Sequence, residues 1–137
     1  VSIRVTMDVL AAIDAHARAE APRECCGLLL GSLTEIRRAE PTRNLATTTT
    51  RYDIDPADHF RILREARAAG LTVIGAYHSH PASAPVPSPT DLAEGLPNFL
   101  YVIATLRAEP STSLEGGIRA YYFDGPSYRE IRLIRAD

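Results

Sequence analysis

Apolar residues recur at helical spacing through Val9, Leu10, Ile13 and Ala17, and Thr6 stands where an N-cap belongs. The pattern predicts a helix from Met7 to about Glu20, ended by Pro22. Residues 1–5 before it read as a short strand. Cys25 to Gly31 is an unbroken apolar run between Pro22 and Gly31-Ser32, too short for a typical helix, and predicts a strand buried on both faces. Residues 34–43 read as its more exposed partner, and Thr47 to Thr50 as extended chain. Asp55-Pro56-Ala57-Asp58 is a strong helix start, with an acid at the N-cap, proline at the first helical position and a second acid in the first turn. That helix should run to about Ala69 and stop at Gly70, with Phe60, Leu63 and Ala66 packing inward and Ile62 a further candidate. Leu71 to His80 alternates as a strand. A proline-rich loop follows, then a short helix from Ser88 and a strand over Leu100–Leu106. Ile118–Phe123 and Tyr128–Ile134 read as a hairpin turning at Asp124-Gly125. Strands interleaved with helices predict a mixed sheet with helices against it, and no linker or repeat divides residues 1–137 into more than one domain.

Composition narrows the function classes. The formal net charge of −2 lacks the basic excess of a domain held to nucleic acid by bulk charge. All 15 basic residues are arginine, which the codon bias of a GC-rich genome accounts for. No stretch approaches the roughly 20 apolar residues of a membrane helix. Val1 to Asp8 lacks the regions of a signal peptide, so a cytoplasmic protein is expected. The only two cysteines, Cys25 and Cys26, are adjacent on a strand and read as buried thiols on opposite faces, since a bridge between them would be strained.

Chemistry concentrates in His78-Ser79-His80-Pro81 and Ser88-Pro89-Thr90-Asp91. Histidines at i and i+2 of a strand share a face, with Cβ atoms ~7 Å apart, so both imidazoles can reach one ion. Ser79 points to the other side. On the histidine face the preceding residues are expected to be Thr72, Ile74 and Ala76, the last small enough to leave room. Neutral imidazoles suit zinc, and three protein ligands plus water make a catalytic rather than a closed structural site. Asp91 is the natural third ligand, since Ser88 as N-cap and Pro89 as first helical residue place it in the first turn. Ser88 would then lie close to the metal's water. The same four residues also read as a plain capping box, and His-x-His as a polar strand end. Glu24, at the mouth of the most buried strand, is a charge that needs a partner. His16 and His59 lack ligand spacing and read as structural or surface residues.

The joint pattern resembles a known family. A glutamate in Pro22-Arg23-Glu24-Cys25-Cys26-Gly27, then His78-Ser79-His80-Pro81, then Ser88-x-x-Asp91 with seven residues between His80 and Ser88, is similar to the JAMM (JAB1/MPN/Mov34) metalloproteases in their compact prokaryotic form. The resemblance implies a single-domain α-β-α sandwich around a curved mixed sheet, the MPN/JAB fold, similar in outline to cytidine deaminases. The deaminase signature H-x-E…P-C-x-x-C is itself missing, as is the H-E-x-x-H of ordinary zincins.

Carried over residue by residue, the resemblance implies that His78, His80 and Asp91 hold one zinc ion. Glu24 would move the proton of the attacking water, and Ser88 would stabilise the oxyanion. The implied substrate is the amide or isopeptide bond after the C-terminal Gly-Gly of a ubiquitin-like or sulfur-carrier protein. Its extended tail would lie against residues 44–54 or the Pro81–Pro87 loop. The brevity of Leu92–Pro97 leaves little room for the insertion with which eukaryotic deubiquitinating members grip ubiquitin. A zinc hydrolase of small peptides or amides and a non-catalytic MPN scaffold are the other readings. The family's scaffold members typically lose motif residues, and none is missing here.

Overall fold

A computed structural model describes residues 1–137. In chain order the elements are β1 (Ser2–Val5), α1 (Met7–Glu20), β2 (Cys26–Gly31), β3 (Glu35–Thr42), α2 (Pro56–Ala68), β4 (Thr72–His80), α3 (Pro89–Glu94), β5 (Phe99–Thr105), β6 (Ile118–Phe123) and β7 (Tyr128–Arg135). The strands form one mixed sheet in the order β1-β3-β2-β4-β5-β6-β7, curved so strongly that β7 meets β1. The seam beside β1 is short, since β1 pairs with β3 only at Arg4–Glu35 and Val5–Ile36. Pairings β1·β3, β1·β7 and β4·β5 are parallel and the others antiparallel.

Two apolar layers sandwich this sheet. Val9, Leu10, Ile13 and Ala17 of α1 pack with Ile3, Val5, Leu29 and Tyr77 on one face. Ile62 and Ala66 of α2 pack with Leu28, Leu30, Ala76 and Ile103 on the other. The central strands feed both layers, which is why Cys26–Gly31 and Ile74–His80 are buried without a break. Both cysteines are free and buried, and burial pushes their thiols up to about 12 for Cys25 and about 11 for Cys26.

Three local expectations are corrected. On α2, Phe60 and Leu63 are exposed, and Ile62 and Ala66 face the sheet. The helix carries two apolar stripes of similar strength, and the fit against Leu28, Leu30 and Ile103 selects one. Thr47–Thr50 forms bends and a turn, because Leu45 N–H donates to the Asp53 carbonyl and Asp55 N–H to the Arg43 carbonyl, drawing the loop's ends together. On β4, Ile74 does not share the histidine face. Leu29 pairs with Gly75 but Leu30 with Val73, leaving Ile74 as the extra residue of a bulge and turning its side chain into the α1 layer. Gly75 permits this, since a Cβ there would stand 2.0 Å from the Leu100 carbonyl oxygen.

The choice of helix face is directly measurable. Ile62→Ala should lower stability in urea by about 2–4 kcal/mol, whereas Phe60→Ala should change it by no more than about 0.5 kcal/mol.

Candidate metal centre

The end of β4 brings two imidazoles onto one face, and the first turn of α3 brings a carboxylate to meet them. His78 Nε2 and His80 Nε2 lie 3.1 Å apart, and each lies 3.1 Å from Asp91 Oδ2. The three atoms form a nearly equilateral triangle. Donors around a four-coordinate zinc with bonds of roughly 2.0–2.1 Å stand about 3.3 Å apart. A single shared proton can serve one edge of such a triangle, whereas a divalent cation serves all three corners at once.

Each corner is held from behind. Ser88 Oγ accepts the Asp91 N–H at 3.0 Å, and Ser88 N–H donates to Asp91 Oδ2 at 2.9 Å. The capping box and the candidate ligand are therefore one object, because the box aims the carboxylate. His80 Nδ1 donates to the Ala84 carbonyl at 2.8 Å. A carbonyl can only accept, so Nδ1 carries the proton and the Nε2 lone pair faces the triangle. His78 stacks on Tyr52, with centroids 4.3 Å apart and planes 25° off parallel.

Glu24 stands beside the triangle. It is only 5% exposed, and a carboxylate oxygen of Glu24 and one nitrogen from each histidine lie within 4.8 Å of one another. Its Oε1 has no hydrogen-bond partner. Register places it there: Cys26 sits opposite His78, and Ser79 extends the pairing, its N–H donating to the Cys25 carbonyl at 3.2 Å and its Oγ accepting the Cys25 N–H at 2.8 Å. Buried Asn44 adds a second tether. Its Nδ2 donates to the Glu24 carbonyl at 2.9 Å, and its Oδ1 accepts the N–H groups of Ala46 and Asp53. All five residues singled out from the sequence, Glu24, His78, His80, Ser88 and Asp91, thus converge.

Burial and charge act on these groups in opposite senses. Burial pushes the Glu24 carboxyl up to about 7, against the pull of the nearby His80. Burial lowers His78. Burial also opposes charge on His80 and Asp91, but their hydrogen bonds prevail, raising His80 and holding Asp91 far below the usual carboxylate range.

A cavity of about 250 Å³ opens beside Asp91, walled by Leu28, Tyr52, His59, Ala76, Phe99 and Tyr101 among others. Ala76 supplies the expected room. Of the two segments expected to flank the site, residues 44–54 contribute Tyr52, Asp53 and Ile54 to this wall, and Pro81–Pro87 contributes nothing. His59 belongs to the wall, which its place on a helix did not signal. His16 accounts for itself structurally, with Nδ1 2.7 Å from the Tyr77 hydroxyl. Tyr52 and Asn44 also serve the site, and no periodicity or motif in the sequence marks them.

The family of prokaryotic homologs of the JAB domain matches residues 6–116. Desampylase of Haloferax volcanii is 33% identical over 139 residues, covering 96% of this chain and 94% of that protein. A protein of Thermus thermophilus described as a probable TtuB-protein conjugate cleaving protease is 35% identical over 121 residues, 88% of this chain and 74% of its own. The CysO-cysteine peptidase of Mycobacterium tuberculosis is 32% identical over 106 residues, 75% and 73% of the two chains. Among solved structures, protein DSY2949 of Desulfitobacterium hafniense has a TM-score of 0.86 at 26% identity, covering 98% of this chain and 93% of that one. A JAB1/MPN domain protein of Archaeoglobus fulgidus shares the fold, with a TM-score of 0.60 at 19% identity over 97% and 98% of the two chains.

The raised Glu24 carboxyl has a consequence for stability. Between its ordinary value of 4.5 and about 7 the folded chain holds this proton more tightly than the unfolded chain, so its contribution to stability falls as pH rises through that window and levels off above it. With metal chelated, Glu24→Gln should melt close to the parent near pH 4.5 and progressively above it toward pH 7. An offset in Tm independent of pH would contradict the assignment.

Proposed function

The chain belongs to the prokaryotic homologs of the JAB domain, and on that premise we propose that it is a zinc-dependent metallopeptidase cleaving the amide or isopeptide bond after the C-terminal Gly-Gly of a ubiquitin-like or sulfur-carrier protein. The observation that carries this reading is the 3.1 Å triangle of His78, His80 and Asp91 with the unpartnered Glu24 carboxylate beside it. The relatives described as a probable TtuB-protein conjugate cleaving protease and a CysO-cysteine peptidase support the substrate class.

In this reading His78, His80 and Asp91 hold the zinc, and residues 1–137 act as one catalytic unit. Bound zinc supplies Lewis acidity, making water acidic enough to ionise near neutral pH. Glu24 accepts the proton of the attacking water. A carboxyl raised toward neutrality holds that proton well enough to pass it on, and Glu24 delivers it to the departing amine. Ser88 Oγ already accepts the Asp91 N–H, so its own O–H remains to donate to the oxygen that becomes negative when the carbonyl is attacked. His80, locked to Ala84, cannot rotate its protonated nitrogen into the site. The cavity lined by Tyr52 and Ala76 offers an apolar bed for the tail or for the residue joined to it. No helix is long and apolar enough to cross a membrane, and two free cysteines suit the reducing cytoplasm, where we place the activity.

Glu24→Gln should bind zinc in the same stoichiometry as the parent and lose about 10²–10⁴ in kcat, whereas His80→Ala should lose both metal and turnover. Elemental analysis paired with cleavage of a Gly-Gly-linked carrier conjugate measures the two effects. A zinc-loaded parent that leaves several such conjugates intact, or cleaves free peptides equally well, would overturn the substrate assignment.

A further inference from the structure

Prolines at 81, 85, 87 and 89 strip the connection between β4 and α3 of backbone donors. Its one internal backbone bond runs from Val86 N–H to the Ala84 carbonyl at 2.8 Å. Three consecutive carbonyls of this loop are nevertheless satisfied, each by a side chain from a different strand. Thr105 Oγ1, at the end of β5, donates to the Ser83 carbonyl at 2.7 Å. His80 Nδ1, on β4, donates to Ala84 at 2.8 Å. The Tyr121 hydroxyl, on β6, donates to Pro85 at 2.7 Å.

Thr105 and Tyr121 are 2% and 4% exposed. Packing explains the Tyr121 ring, which lies among Leu28, Tyr101 and Phe123, but a phenylalanine would pack as well. The hydroxyl is a polar group taken out of water, and its partner is the Pro85 carbonyl. The donors to carbonyls 83, 84 and 85 come from three different strands, so together they fix the loop against both translation and rotation.

We propose that Tyr121 and Thr105 are positioning residues for the metal centre. By gripping the carbonyls on either side of Ala84, they keep the Ala84 oxygen over His80 Nδ1. They also anchor the strut that carries Ser88 and Asp91. The clamp thereby sets the tautomer of one ligand and the distance of another, without touching the donor triangle. This rests on the reading above that His78, His80 and Asp91 hold zinc.

The test uses the full chain with Tyr121→Phe, Thr105→Val and the double variant. Tyr77→Phe is the control, because it removes a buried hydroxyl contact of the same 2.7 Å length, to His16, in the other layer. Zinc affinity, read by competition with a chromogenic chelator at fixed pH, should fall about tenfold in each single variant and further in the double. In zinc-free protein, at a pH high enough to keep His80 neutral, nitrogen NMR of the imidazoles should show His80 passing from one Nδ1–H tautomer to a mixture. Tyr77→Phe should lower Tm and leave both readouts unchanged. If Tyr121→Phe and Thr105→Val lower Tm but keep zinc affinity within twofold and His80 in one tautomer, their hydroxyls serve the fold alone and the proposal fails. A parent that binds no zinc would overturn the functional reading, and the tautomer measurement would still decide the clamp.

Discussion

Three electron-rich atoms held 3.1 Å apart, two imidazole nitrogens and a carboxylate oxygen, are the constraint around which the rest of this structure is arranged. Left to themselves the lone pairs repel, and each group would turn toward water. They stay together because every one is gripped on its far side, by a capping box, a loop carbonyl or a stacked tyrosine ring. The surrounding protein enforces the convergence of these donors, and a bound cation would relieve their repulsion. That is how a candidate metal site is preorganised.

The sheet meets this demand through the two halves of β4. In the first half a bulge at Ile74, opened by Gly75, turns an isoleucine into the α1 layer and sets Ala76, His78 and His80 in step on the α2 side. In the second half strict alternation takes over, so Ser79 faces away from the histidines and is free to bond the backbone of Cys25. A single dipeptide step thus places the candidate ligands on one face and ties down the neighbouring Glu24 from the other. Asn44 makes the second tie and at the same time folds residues 44–54 into the wall that brings Tyr52 against His78. The candidate site and the loop share the same few hydrogen bonds.

Burial then gives the carboxylates different characters. Glu24 and Asp91 are close to the same histidines, yet one is pushed up to about 7 and the other held far down. Asp91 Oδ2 lies 3.1 Å from both imidazole nitrogens and accepts a backbone N–H, and Glu24 has an oxygen with no partner at all. Hydrogen-bond supply separates an acid fit to hold a cation from an acid fit to carry a proton.

Much of this was legible in the chain itself. The caps at Thr6, Asp55 and Ser88 are local, set by short-range geometry, and they mark where α1, α2 and α3 begin. The i, i+2 histidines and the capping serine three residues before Asp91 are also local, because strand and helix periodicities alone decide which way those side chains point. What no local pattern encodes is which of two similar stripes on α2 meets the sheet, where a bulge interrupts β4, and which distant groups close on the site. Phe60 and Ile62 are equally apolar in sequence, and only the shape of the β2 and β5 side chains chooses between them. Tyr52, Asn44, Thr105 and Tyr121 act through contacts with residues 20 or more positions away, so their part depends on the assembled sheet. The elements and the reactive groups can be read from amino-acid order, because they follow from neighbours along the chain. How those groups are held emerges only in the folded sheet, because it depends on which strands lie side by side.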